Sequence, residues 1–172
     1  MYTPAGITRR ELLSAPQRVA EPLFSAMALV VLGGFFVTHQ RLETGFFTER
    51  FGPVEMLCLY GPLALSLAAP LTRALYGQRN PARPVEVVTH LCAALAGLWL
   101  LQVFPFDFTH LADVFPAEFQ FLLAWMSDGI GKFLLLLQVA VGVLAALFTL
   151  VTYAMVAVTR NRGRGKPDAW AT

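Results

Sequence analysis

The sequence predicts an all-α integral membrane protein: four transmembrane helices in a bundle, plus a short interfacial or re-entrant helix between spans three and four. Three observations carry this. Of 172 residues, 56% are hydrophobic and only 14% charged, with a mean hydropathy of +0.59, whereas a soluble domain carries about a quarter charged residues. One small core cannot hide that much apolar surface, so the surplus faces lipid. The apolar residues also gather into four long stretches, and the basic residues sort to alternate connections between them. The length suits a single domain.

The four stretches are residues 22–38, 53–75, 85–104 and 130–158. Each has at least the ~17–25 residues that cross a ~30 Å hydrocarbon core at 1.5 Å per residue. Backbone groups in lipid have to be satisfied within the segment, and these lengths suit helices rather than ~10-residue barrel strands. The first stretch carries no charge. The second has Glu55 near its start and Arg73 near its end, and its Pro62 and Pro70 remove helix hydrogen bonds. Those prolines are read as static bends rather than transporter hinges. The fourth is longer than the membrane requires and is expected to tilt or project. Residues 1–21 then form an N-terminal segment, 22–158 the membrane domain with an outer segment at 105–129, and 159–172 a basic tail.

Positive charge sets the expected orientation. Ten of the thirteen basic residues lie before span one, in or beside the connection between spans two and three (Arg73 at the end of span two), or after span four, leaving Arg41, Arg50 and Lys132 on the other side. Lys and Arg accumulate in cytoplasmic segments, so both termini are expected in the cytoplasm, with the plasma membrane as the location. Acidic residues lean the opposite way, from Glu43 and Glu49 to Glu118 and Asp128. The Arg9–Arg10 pair looks like part of a twin-arginine export motif, but Pro16, Arg18, Glu21 and Pro22 separate it from the apolar run and no small-residue cleavage site follows Thr38. The first span is therefore expected to stay in the mature protein.

Helices in lipid associate through close packing of small residues and through interhelical polar contacts. In span four, Gln138, Gly142, Ala145, Thr149 and Thr152 fall on one face at 100° per residue and are expected to point into the bundle. Ala64 with Ala68, Ala93 with Gly97, and the Gly33–Gly34 pair are candidate sites of close helix approach.

Glu86, His90 and Gln138 are the candidate intramembrane polar contacts. Glu86 and His90 are four apart and share a helix face, a geometry suited to a proton relay or to local polar pairing with Arg83. Gln138 suits a substrate contact or, more simply, an interhelical hydrogen bond worth ~1 kcal/mol. Glu55 is expected to pair with Arg50 or Lys132. His39 and His90 differ in height by roughly 20 Å at 1.5 Å per residue, too far for two imidazoles to ligate one haem iron. Cys58 and Cys92 are offset by about 10 Å, beyond the ~7 Å Cα separation a disulfide tolerates. No phosphate-binding loop, zinc-binding helix or nucleophile elbow is present. No cofactor, resident metal or catalytic residue is expected.

The long outer connection is the unusual segment. Asp107, His110 and Asp113 recur every third residue and form a candidate outer-face polar cluster, able in principle to take a cation or protons with His39 or Glu43, or simply to form a wet face. Pro116 is placed to open a helix over about residues 117–127, with Trp125 and several phenylalanines at headgroup depth. At the opposite surface, Arg160, Arg162, Arg164 and Lys166 alternate with Asn, Gly and Pro in a tail expected to be disordered and to sit on anionic lipid. That cluster is too short, and too poor in aromatics, to suggest nucleic acid.

The reading of function follows from what is missing. A non-catalytic structural, accessory or assembly component of a membrane complex comes first, with the bilayer and a homo-oligomer or larger complex as its partners. A small oligomeric transporter or channel comes second. An enzyme acting at the outer headgroup layer through Asp107, His110 and Asp113 comes third.

Overall fold

The computed structural model describes residues 11–164, with side chains to residue 159. The Arg9–Arg10 pair and Lys166 lie outside the described residues, as do the side chains of Arg160, Arg162 and Arg164. Among the described residues five α-helices are laid out in order: α1 (Ala15–Leu42), α2 (Pro53–Leu65), α3 (Ala68–Tyr76), α4 (Arg83–Val103) and α5 (Asp128–Arg164). Short 3-10 turns occupy Asn80–Ala82, Phe108–His110 and Ala117–Leu122. Because α2 and α3 together make one crossing, four helical units among the described residues are long and apolar enough to cross a membrane: Ala15–Leu42, Pro53–Tyr76, Asn80–Val103 and Asp128–Thr159. The protein is an all-helical four-helix membrane bundle.

Helix α1 begins seven residues before its hydropathy does. Ser14 closes its backbone N–H onto the Gln17 side chain at 3.1 Å, and a proline in the first turn is pre-set for helical φ. These caps place Gln17, Arg18 and Glu21 on the helix although none of them is apolar. At the other end, α5 runs on through Arg164. Residues 160–164 are therefore helical rather than disordered: arginine is a good helix former, and extending an existing helix avoids the cost of nucleation.

The α2/α3 crossing is broken at Ser66–Leu67. Pro70 lacks the N–H that would bond the Ser66 carbonyl, and the Leu67 N–H turns instead to Ala64 at 3.2 Å. The break puts Ala64 and Ala68 on different helices, so they form no continuous small-residue face. Gly33 and Gly34 likewise serve no neighbour: a side chain at Gly34 would meet nothing within 4 Å, and one at Gly33 only Leu29 of its own helix.

The tightest seam joins α4 and α5, with α2 against α4 and α1 against α3, whereas α1 and α5 share at most isolated contacts. On α5 the small-residue stripe is the seam: Gly142, Ala146 and Thr149 are buried, and the position of a Cβ on Gly142 lies 3.1 Å from both the Ala94 Cβ and the His90 carbonyl oxygen. The outward positions, such as Leu136, Leu144 and Phe148, are exposed apolar surface, as expected of faces that meet lipid.

Candidate functional site

Polar chemistry gathers at two ends of the bundle, with one lone amide between them. At the end holding the chain termini, Arg73 near the end of α3 reaches two other helices. Its Nε lies 2.6 Å from Glu21 of α1, and its Nη1 meets Glu86 of α4. Arg79 approaches Glu21 at 3.9 Å. Arg83 takes Glu11 at 2.8 Å and Asn80 at 2.7 Å. The segment before α1 is fastened to the α3–α4 connection by backbone bonds from Leu13 to Gly77 (3.0 Å) and from Arg79 to Glu11 (3.0 Å). Gly77 ends α3 at φ 64°, a left-handed conformation that favours glycine, and the Arg18 guanidinium packs over it in the space a side chain would take. Together with Thr149 and Thr152 of α5, the charged residues line a cleft of about 310 Å³.

This network corrects two expectations. Glu86 is bound to Arg73 rather than to His90 or Arg83, so the pair four residues apart is not the unit the fold uses. Arg83 is instead committed to Glu11, a residue 72 positions away. Sequence spacing cannot reveal either pairing, because both depend on which spans sit side by side.

The opposite end is closed by a cap of two connections lying on each other. Phe47 and Phe106 form an antiparallel bridge, flanked by Asp107 N–H to the Phe46 carbonyl (2.8 Å) and Thr48 N–H to the Pro105 carbonyl (3.1 Å). Phe46 is almost fully buried, with ring centroids of Phe106 and Phe108 at 5.4 and 5.5 Å and of His39 at 4.7 Å. Such centroid separations fall in the favourable range for aromatic pairs. The buried His39 bonds Thr44 through Nδ1 at 2.6 Å. These phenylalanines form a packed lid, and nine of the chain's fourteen fall at positions 35–51 and 104–115, a clustering that is the one sequence signal for it.

Within the cap the three outer-face residues divide. His110 Nδ1 and Asp113 lie 2.7 Å apart, and this bond raises the His110 pKa above its ordinary 6.5. Asp107 turns to the start of its own 3-10 turn, accepting the Thr109 N–H at 3.0 Å. The bond from Thr109, chiefly that of its hydroxyl, lowers the Asp107 pKa. Asp128 at the head of α5 accepts the Phe108 N–H at 2.9 Å. Among the described residues, no three His, Cys, Asp or Glu side chains are arranged to hold a metal ion. The expected helix over residues 117–127 is a 3-10 turn, Ala117–Leu122, followed by turns. Pro116 opens it as expected, but the Trp125 indole bonds the Leu122 carbonyl at 2.7 Å, and the segment is too short to bury a face, with Phe119 and Phe121 both exposed.

Within the spans, Glu55 pairs with neither Arg50 nor Lys132. Its two oxygens accept the Trp99 indole N–H and the Gly52 backbone N–H, each at 3.0 Å, while the Lys132 ammonium sits 4.5 Å above the Phe104 ring. Tyr60 of α2 donates to Gln40 of α1 at 2.6 Å. Cys58 and Cys92 are free thiols. Gln138 donates to the Ala93 carbonyl of α4 at 3.3 Å, and it borders an apolar cavity of about 410 Å³ among α1, α2, α4 and α5. Compared with protein-family models, curated proteins and solved structures, the chain matches none.

Proposed function

We propose that this protein is a non-catalytic accessory or assembly component of a plasma-membrane complex, with both termini in the cytoplasm. The observation that carries the reading is that Arg73, Glu55 and Gln138, in and beside the spans, are taken up in fixing the helices. Arg73 holds Glu21 and Glu86, Glu55 holds Trp99 and Gly52, and Gln138 holds a carbonyl of α4. Catalytic and ion-conducting groups need free valences aimed at a substrate or a pore, and this arrangement uses those valences for architecture. The orientation rests on Arg18, Arg73, Arg79 and Arg83 lying at the end of the termini, where basic residues anchor a bundle to the cytoplasmic face.

The test is affinity purification in mild detergent from the native host, followed by deletion of the gene. The expected result is a stoichiometric membrane partner whose own abundance or assembly falls when this chain is absent. Recovery of a homo-oligomer that carries ion or solute flux in liposomes, with flux lost in Glu86→Gln and Gln138→Leu, would replace this reading with a transporter.

A further inference from the structure

We propose that the gap between α1 and α5 is the portal to a binding site for one hydrocarbon chain of a bilayer lipid, held in the apolar cavity behind it. The cavity has walls from four helices, including Leu32 and Phe36 of α1, Leu59 of α2, Leu100 of α4 and Leu134 of α5. Phe46, Phe106 and Phe108 of the aromatic cap roof it, so the route in is sideways. Helices α1 and α5 leave that route open because they share at most isolated contacts. Leu32 and Leu134 flank it and are each close to half exposed.

Size selects the occupant. Along α5 the wall runs from Gly131 to Gln138, a rise of about 10 Å at 1.5 Å per residue. A 10 Å length of α-helix with its side chains, ~10–12 Å across, occupies on the order of 1,000 Å³. The cavity offers about 410 Å³, so a helix of a second copy or of a partner would lie across its mouth without filling it. Water is disfavoured too, since apolar cavities stay dry unless polar groups hold the water. An extended hydrocarbon chain fits the space, lies at high concentration at the portal, and restores the dispersion contacts an empty space would forfeit. Gln138, whose carboxamide offers a hydrocarbon no favourable contact, marks the deep end of the wall and sets where the chain stops.

The inference is independent of the accessory role and is tested separately from it. The full-length protein is reconstituted in phosphatidylcholine vesicles containing a phosphatidylcholine with a diazirine on its acyl chain, then irradiated, and the adducts are mapped by peptide mass spectrometry. Adducts are expected to concentrate at least fivefold on Leu134, Leu135 and Gln138 relative to Phe133, Leu136 and Leu137, which lie at the same depth on the same helix. Ala93→Phe, which fills the cavity, should erase that excess while leaving the outward adducts unchanged. Even labelling around α5 in the unaltered protein would overturn the proposal whether or not the variant folds, as would an excess that survives in a folded Ala93→Phe protein.

Discussion

The indole of Trp99 donates to Glu55 across the α2–α4 seam at 3.0 Å, and the other carboxylate oxygen caps Gly52 at the same distance. One side chain thus starts a helix and ties it to its neighbour. Glu55 is buried, and hydrogen bonds to charged groups contribute roughly 1.5–3 kcal/mol. Trp99→Phe and Glu55→Gln should each destabilise the bundle by about that much. The double variant should lose less than the sum of the two, as read by denaturant unfolding in detergent.

Arg73→Ala should be more damaging than any other single change at the end of the termini, because it leaves Glu86 without its cation and Glu21 with only the more distant Arg79 at 3.9 Å. Its side chains are about one-fifth to one-third exposed, so the cost should fall between the ~1 kcal/mol of surface pairs and the ~3–5 kcal/mol of buried ones. Adding Glu21→Gln and Glu86→Gln should recover part of the loss in the same unfolding measurement. An Arg73→Ala protein as stable as the parent would show that the network does not hold the spans together.

Gly142→Leu should separate α4 from α5. A Cβ at this position already meets Ala94 and the His90 carbonyl at 3.1 Å, and over-packing typically costs ~1–3 kcal/mol. Leu144→Ala on the exposed face is the control and should be nearly neutral. Cysteine cross-linking between the two helices, or thermal unfolding, separates the two outcomes.

His110 titrates in the cap with its pKa raised, first by the bond to Asp113 and also by the nearby Asp107 charge. A raised folded value means the protonated pair stabilises the cap below the ordinary 6.5, and the contribution is lost as pH climbs through the folded value. Asp107 acts at the other extreme: its lowered pKa gives a contribution present above the ordinary 3.8 and lost as pH falls through the folded value. In an NMR titration, the His110 midpoint should lie above 6.5, and Asp113→Asn should move it down towards that value.

Labelling tests the proposed orientation. In a background without Cys58 and Cys92, a cysteine at the exposed Glu118 should react with a membrane-impermeant maleimide on intact cells. A cysteine at the exposed Gln78 should react only after the cells are opened. The reverse pattern would invert the topology and place the Arg73 network outside.

The number of spans was legible in the sequence because lipid imposes one rule along the whole chain: a span needs an unbroken apolar length, and four long apolar stretches satisfy it. The inward face of α5 was legible in part for a related reason, since small residues at helical spacing mark where backbones meet: Gly142 and Thr149 are buried as expected, while Ala146 rather than Ala145 is the buried alanine. Polar pairing was not legible. Glu86 is four residues from His90 in the chain, yet the fold gives it to Arg73, and Glu55 goes to Trp99, 44 positions on. The aromatic cap was not legible either, because it exists only where the connections around Phe47 and Phe106 close over each other. Composition and periodicity act locally along the chain, and they determined that this protein crosses a membrane four times. Which charges meet, and the cavity left where α1 and α5 share at most isolated contacts, depend on the lateral order of the spans, and only tertiary packing decides that order.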